Sequence, residues 1–202
     1  MQECHGTISD AFLELYQAGK LTNAHKELDT GLSAWNLAMG SQELYDWLDA
    51  EPQLFHPGDL DYIHSVERIS KFSNVISING GVQLDLMGQE NAESTGTRQL
   101  SGVGGQMDFL EGAYRSKGGK GFICINSSRV TKDGERKSNI LATIPGGSTI
   151  SAPRTMIQYV ATEYGIASLS GKTLRERAEA MASIAHPDFR EELMKYAQEN
   201  FK

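Results

Sequence analysis

The stretch SGVGGQMDF, residues 101–109, places three glycines within four positions and then turns to a charged and an aromatic residue. Glycine inside a rigid element costs roughly 0.5 to 1 kcal/mol relative to alanine, so Gly102, Gly104 and Gly105 answer a local need, either unusual dihedrals or close backbone approach. A plain chain reversal is the bland alternative for an isolated Gly-x-Gly-Gly. The flanks are strand-like. Upstream, SNVISING and VQLDLMG each carry a strand pattern, the second alternating Val82, Leu84 and Leu86 against Gln83 and Asp85, with Gly80 and Gly81 marking the bend between them. Downstream, GKGFICINSS and SNILATIP read as strands separated by the polar turn RVTKDGERK, and TMIQYVAT reads as a buried one.

Helical patterns lie at both ends of the chain. ISDAFLELYQAGKLTN repeats Ile8, Phe12, Leu15 and Tyr16 at helical spacing, with Ser9 or Asp10 to cap it and Gly19 to end it. LSAWNLAMGSQELYDWLDAEP reads as a strand to Met39, then a helix capped by Ser41 with Leu44, Tyr45 and Leu48 inward. TLRERAEAMASIA stripes Leu174, Ala178, Met181 and Ala185, and HPDFREELMKYAQENF opens with Pro187 at its first helical position and stripes Phe189, Leu193 and Tyr196. With no repeat and no linker, residues 1–202 are expected to form one α/β domain with an open mixed sheet and flanking helices.

The chain has 202 residues, 39% apolar and 22% charged, with a net charge of -7. That balance suits a globule, and the acidity argues against general nucleic-acid binding, so any anionic ligand must be held locally. No segment has the apolar length that crossing a bilayer requires. The start, MQECHGTISD, lacks a basic stretch followed by an apolar run, so no secretory signal is legible and a cytoplasmic location is expected. The two cysteines, Cys4 and Cys124, form no metal-ligand spacing with the five histidines, so no metal is expected. Cys124, inside GFICINSS, is expected to be buried as a small hydrophobe.

Several functional motifs are incomplete. Met107 stands where Gly-x-Gly-x-x-Gly would need its third glycine, which disfavours a dinucleotide fold. No Walker-type loop and no Gly-x-Ser-x-Gly elbow occurs.

Taken in order, VISINGGVQLDLMGQENAES, SGVGGQMDFLEGA, SKGGKG, TEYGIASLSGKTLRERA and IAHPDFREEL resemble the C-terminal half of the acetyl-CoA hydrolase/transferase family, over about Ile8 to Leu193. The resemblance implies a CoA-transferase-type α/β domain that binds a CoA thioester in a cleft against an N-terminal domain of similar fold, in a homo-oligomer. Its substrates would be an acyl-CoA and a small carboxylic acid, with coenzyme A as the group carried. In that family the Gly-x-Gly-Gly loop lies against the thioester, so Gly104 and Gly105 would donate backbone N–H bonds to the carbonyl oxygen as it becomes an oxyanion. One such donor is worth roughly 3 to 4 kcal/mol of barrier. Gly88 to Ser94 resembles the Gly-Gln/Asn-x-Asn stretch beside the site, so Gln89 and Asn91 would orient substrate through their amides, or else form a polar turn. Lys132 lies near a lysine used on the CoA phosphates, with a solvated turn lysine as the alternative. Glu163 of Thr-Glu-Tyr-Gly is expected to be a buried, paired carboxylate, and His186-Pro187 a capped helix start.

The same resemblance exposes a departure. The family's transferases attack the thioester with a glutamate a few residues before a Ser-Asp pair, and an ungapped match places Gly6 there. Glu3 is three residues out of register, and Glu90 and Glu93 are alternatives on the facing loop, so no nucleophilic glutamate is identified. Three explanations stay open: water attacks directly and the protein is a thioesterase; the chain is the C-terminal domain of a longer transferase; or it binds CoA compounds without turnover.

Overall fold

The computed structural model describes residues 6–201, and their contacts divide the chain into two compact units, residues 1–75 with 115–119 and residues 76–114 with 120–202.

The first unit contains β1 (Thr7–Ile8), α1 (Asp10–Gln17), β2 (Ser33–Trp35), β3 (Leu37–Ala38), α2 (Gln42–Ala50), β4 (Phe55–Pro57), α3 (Leu60–Ile63) and α4 (Val66–Ser70). Two parallel pairs, β1 with β3 and β2 with β4, form its sheets. Gly19, at φ +66°, sits just beyond α1, as its place in the sequence predicts. Ser41 caps α2 by accepting from the Leu44 amide, and the Asp10 carboxylate in turn accepts from the Ser41 amide and hydroxyl. Leu44 is buried and Leu48 half-buried, but Tyr45, expected inward, is exposed and its hydroxyl lies 3.4 Å from the Ala38 carbonyl. Arg68 pairs with Asp29 and lies over the Tyr62 and Phe72 rings, a charge held among aromatics.

The second unit runs β5 (Ile76–Gly80), β6 (Gln83–Asp85), β7 (Glu90–Asn91), β8 (Ser94–Thr95), β9 (Arg98–Gln99), α5 (Gln106–Arg115), β10 (Lys120–Cys124), β11 (Ser128–Val130), β12 (Arg136–Ser138), β13 (Ile140–Leu141), β14 (Tyr159–Thr162), β15 (Gly165–Ser168), α6 (Leu174–Ser183) and α7 (Pro187–Asn200). Its main sheet has the order β15-β14-β10-β5, with β5, β10 and β14 parallel and β15 antiparallel: an open, mixed α/β sheet. A smaller sheet places β6 between β13 and β7. RVTKDGERK, expected as a turn, holds most of both strands of the β11–β12 hairpin and the tip between them.

One face of the main sheet is covered and the other is not. Ile123, Val160 and Ala167, neighbours across three strands, are buried with Leu110 of α5, Ala178 and Met181 of α6, and Leu193 of α7. On the opposite face Ile78 is 68% exposed, Ile76 62% and Ile166 63%, beside the stacked rings of Phe122 and Tyr159. Cys124 falls on that open face, next to Ala161, and is exposed; the expectation of burial fails because alternate strand positions face opposite sides and only one side is covered. In β6 the alternation misleads in the other direction. Gln83 and Asp85 are as buried as Leu84 and Leu86, because both faces of that strand are covered.

α6 starts with a reciprocal cap: Thr173 Oγ1 accepts from the Glu176 amide while the Glu176 carboxylate accepts from the Thr173 amide. Ala178, Met181 and Ala185 are buried as the stripe predicts, but Leu174 at its start is exposed. α7 begins at Pro187, with His186 Nδ1 accepting from the Asp188 amide.

Candidate active site

In open parallel sheets, ligands meet the loops beyond the carboxyl ends of the strands. In the second unit those ends are Gly80, Cys124 and Thr162. Residues 81–105 leave β5 at this edge and re-enter the layer of helices at α5, so both GQENAES and the glycine run belong to one long β-to-α connection.

The first part of that connection is a rigid platform. Asp85 Oδ1 accepts from the amides of Met87 and Gln89 at 3.0 and 2.9 Å, and its Oδ2 accepts from Gln89 Nε2 at 2.8 Å. Gln89 is half-buried and its side-chain amide is thereby tied to the turn. Asn91 is wholly buried: its Nδ2 donates to the Ser94 carbonyl, and its Oδ1 accepts from the amides of Glu93 and Ser94 and from the Ser94 hydroxyl. With its amide taken up inside the turn, Asn91 stands as a builder of the platform, which is the polar-turn alternative.

The glycine run hangs from that platform at both ends. The Glu93 carbonyl accepts from the amides of Leu100 and Ser101 at 2.7 and 3.3 Å, and Gln106, the first residue of α5, donates from Nε2 to Glu90 Oε2 at 2.6 Å. Between these two anchors residues 101–104 are exposed and Gly105 is half-buried. Gly104 has φ +61°, a conformation side chains rarely adopt, and a Cβ added there would meet nothing within 4 Å. Within the chain, therefore, backbone conformation and not crowding requires glycine at 104. Among the described residues, no backbone carbonyl accepts from the Gly104 or Gly105 amides.

Glu90 is the one strongly perturbed acid at this edge. It is 0% exposed, and its Oε1 has no hydrogen-bond partner among the described residues. Burial first, with the Glu93 charge adding and the Gln106 bond opposing, pushes its carboxyl up to about 7. Glu93 is itself buried. Glu163 departs from expectation: it is paired, accepting from the Ser127 amide at 2.9 Å and hydroxyl at 2.6 Å, but it lies at the surface. Some desolvation opposes, yet those bonds hold its carboxyl below the usual range. Lys132 is exposed at the tip of the β11–β12 hairpin, as a solvated turn lysine would be.

In the first unit, Gly6 is half-buried. A Cβ there would stand 3.0 Å from His64 Nε2 and 3.7 Å from Asn36 Oδ1, so any side chain at position 6 requires the His64 ring to give way. Glu3 lies outside the described residues. Gln106 escapes the reading of the sequence altogether, because the helix that presents it opens directly from the glycine run and has no Ser, Thr or Asp cap to announce it. Among the described residues, no three His, Cys, Asp or Glu side chains gather as metal ligands would, and no helix is long and apolar enough to cross a membrane.

A mixed α/β sheet whose parallel strands end against a glycine-rich turn and a buried acid places the second unit in the open-sheet α/β class. The chain belongs to the acetyl-CoA hydrolase/transferase family: residues 40–197 match the model of the acetyl-CoA hydrolase/transferase C-terminal domain. It is 43% identical to the butyryl-CoA:acetate CoA-transferase of Anaerostipes caccae over 94% of its own length and 42% of that protein's. Among solved structures it resembles RipA from Yersinia pestis, with a TM-score of 0.86 and 37% identity over 96% of this chain and 42% of that one. It also resembles the 4-hydroxybutyrate CoA-transferase of Porphyromonas gingivalis, with a TM-score of 0.80 and 35% identity over 97% of this chain and 44% of that one. The chain thus spans less than half the length of the relatives it matches.

Proposed function

We propose that this chain is the C-terminal domain of a cytoplasmic, homo-oligomeric CoA-transferase that moves CoA between an acyl-CoA thioester and a short-chain carboxylic acid. Gly104 and Gly105 would serve as oxyanion donors. A carboxylate attacks the thioester carbonyl, the two amides receive the charge on its oxygen, and the CoA thiolate departs, leaving an acyl anhydride. The thiolate then attacks the anhydride's other carbonyl, forming the new thioester and releasing the first acid as its carboxylate. The observation that carries this reading is the glycine loop, pinned at Ser101 and Gln106 yet with the Gly104 and Gly105 amides donated to no backbone carbonyl. Gln89, half-buried on the platform, would orient substrate through its side-chain amide, and Lys132 would be the cation offered to the CoA phosphates. The bare face carrying Ile76, Ile78 and Ile166 supports a further domain or subunit packing there, in keeping with relatives more than twice as long.

The test is the full-length protein incubated with an acyl-CoA and a free acid, with exchange of CoA followed by mass spectrometry. Exchange is expected, and Gly104→Ala is expected to lower kcat on the order of 100-fold by turning the donors out of line. Neither exchange nor hydrolysis across a panel of short acids overturns the reading.

Gly6 favours a second reading. A Cβ at position 6 would press on the His64 ring, which would have to give by a few tenths of an ångström; with glycine there no carboxylate is offered from this position, and water would attack the thioester directly, giving free acid and CoA. Hydrolysis without exchange, with exchange appearing in Gly6→Glu, would decide for it. A non-catalytic module would instead show a melting shift with CoA and no turnover in either variant.

A further inference from the structure

Glu90 sits at the crossing of everything that builds the glycine loop. Its backbone bridges to Ser151 and Ala152 through three hydrogen bonds, the Glu90 amide donating to the Ala152 carbonyl and the Ser151 and Ala152 amides donating to its own carbonyl. Its side chain runs beneath the Gly80–Gly81 bend: a Cβ on Gly81 would stand 2.9 Å from Glu90 Oε1, so glycine at 81 is what admits the carboxyl. The far oxygen, Oε2, holds Gln106 at 2.6 Å. The loop's other anchor is the carbonyl of Glu93, three residues along the same platform.

We propose that Glu90 is a positioning residue for the oxyanion donors, holding the Gly104 and Gly105 amides in place through Gln106 and shifting them when its carboxyl ionises. The physical cause is the unpartnered Oε1. A neutral carboxyl leaves one weakly polar oxygen in an apolar pocket, whereas a carboxylate leaves a bare negative oxygen there, a far costlier group to keep buried. The groups around it offer too little compensation: the Gln106 bond favours the carboxylate, but burial outweighs it. Gly81 lies above, Ile123 and Ile125 of the strand end lie beside it at the same bend, α5 supplies only the uncharged Gln106, and the platform supplies Glu93, whose charge repels. A carboxyl pushed up to about 7 by burial makes that ionisation an event of the neutral range. The chemical consequence rests on the oxyanion role proposed for the loop; the mechanical coupling does not.

The coupling is read without activity, by following the backbone amides of Gly104 and Gly105 and the side-chain amide of Gln106 by proton–nitrogen NMR on the 202-residue chain between pH 5 and 9. All three are expected to titrate together with the Glu90 carboxyl carbon, with a midpoint near 7. In Glu90→Gln, which keeps the shape and can still accept from Gln106, they are expected to stay still. In Gln106→Leu the Glu90 carboxyl still titrates and the glycine amides no longer follow. Loop amides that move identically in Glu90→Gln, or that ignore Glu90 in the native chain, overturn the proposal. In the full-length protein, kcat is expected to fall above pH 7 with KM little changed, and Glu90→Gln to remove that fall. If no CoA chemistry is detected, the proposed function fails while the titration still decides the coupling.

Discussion

Glu90 carries a consequence for stability as well as for the loop. Its folded pKa is raised above the unfolded value of 4.5, so its contribution is fully present below about 4.5 and is lost as pH rises through about 7. A difference of that size corresponds to about 3 kcal/mol once the group is ionised in both states. Native chain and Glu90→Gln should therefore melt alike near pH 4.5, and the variant should melt several degrees higher at pH 8.5 by calorimetry. Equal melting at both ends would place the Glu90 carboxyl in contact with water. At the neighbouring position, Gly81→Ala sets a methyl 2.9 Å from Glu90 Oε1 and 3.0 Å from Ile125 Cγ2. Neither neighbour is the loose end of a surface side chain, so a loss of about 1 to 3 kcal/mol is expected in urea denaturation.

Among the elements, α6 shows how one buried charge can tie loops together. Arg177 is buried and donates from Nε to the Met87 carbonyl, from Nη1 to Leu169 and from Nη2 to Arg154, at 2.8 to 2.9 Å. Those carbonyls come from three separate segments, one of them the platform that carries Glu90. Burial, with the Arg154 charge adding and Asp85 opposing, lowers the pKa of the guanidinium, yet its planar fork remains the group that reaches all three acceptors. Lysine cannot reproduce that fork. Arg177→Lys is expected to cost about 2 to 4 kcal/mol, read as a lower urea midpoint with an unchanged slope. A loss within a few tenths of that expected for a surface exchange would reduce the three bonds to ornament.

For the whole molecule, the decisive feature is the uncovered face of the main sheet. Ile76, Ile78 and Ile166 form an apolar surface that a finished soluble assembly would not leave in water. The 202-residue chain alone should self-associate, with sedimentation coefficients rising between micromolar and hundred-micromolar concentration. Ile78→Thr with Ile166→Thr should abolish that rise while leaving the circular dichroism spectrum unchanged. A native chain that sediments as a monomer throughout would show that this face needs no cover.

Much of this protein is legible in its residues one stretch at a time. The Ser41 cap follows from local chemistry, a side chain and a backbone group three residues away finding each other in any fold, and the Pro187 start follows from the fixed φ of proline. The helix at Asp10–Gln17 follows from its apolar spacing, although no side chain caps it, against the expectation of Ser9 or Asp10 there. Gly104 likewise announces itself, because a positive φ is a property of one residue. Tertiary structure alone decides what requires two distant segments to meet. Cys124 lies in water and Asp85 in the core because the helices cover one face of the main sheet and both faces of β6 are shielded, which no alternation pattern records. Glu90 reads as one more solvated acid among GQENAES until the fold brings Gly81 over it and Gln106 beside it; burial is a property of neighbours, and these are 9 and 16 residues away along the chain.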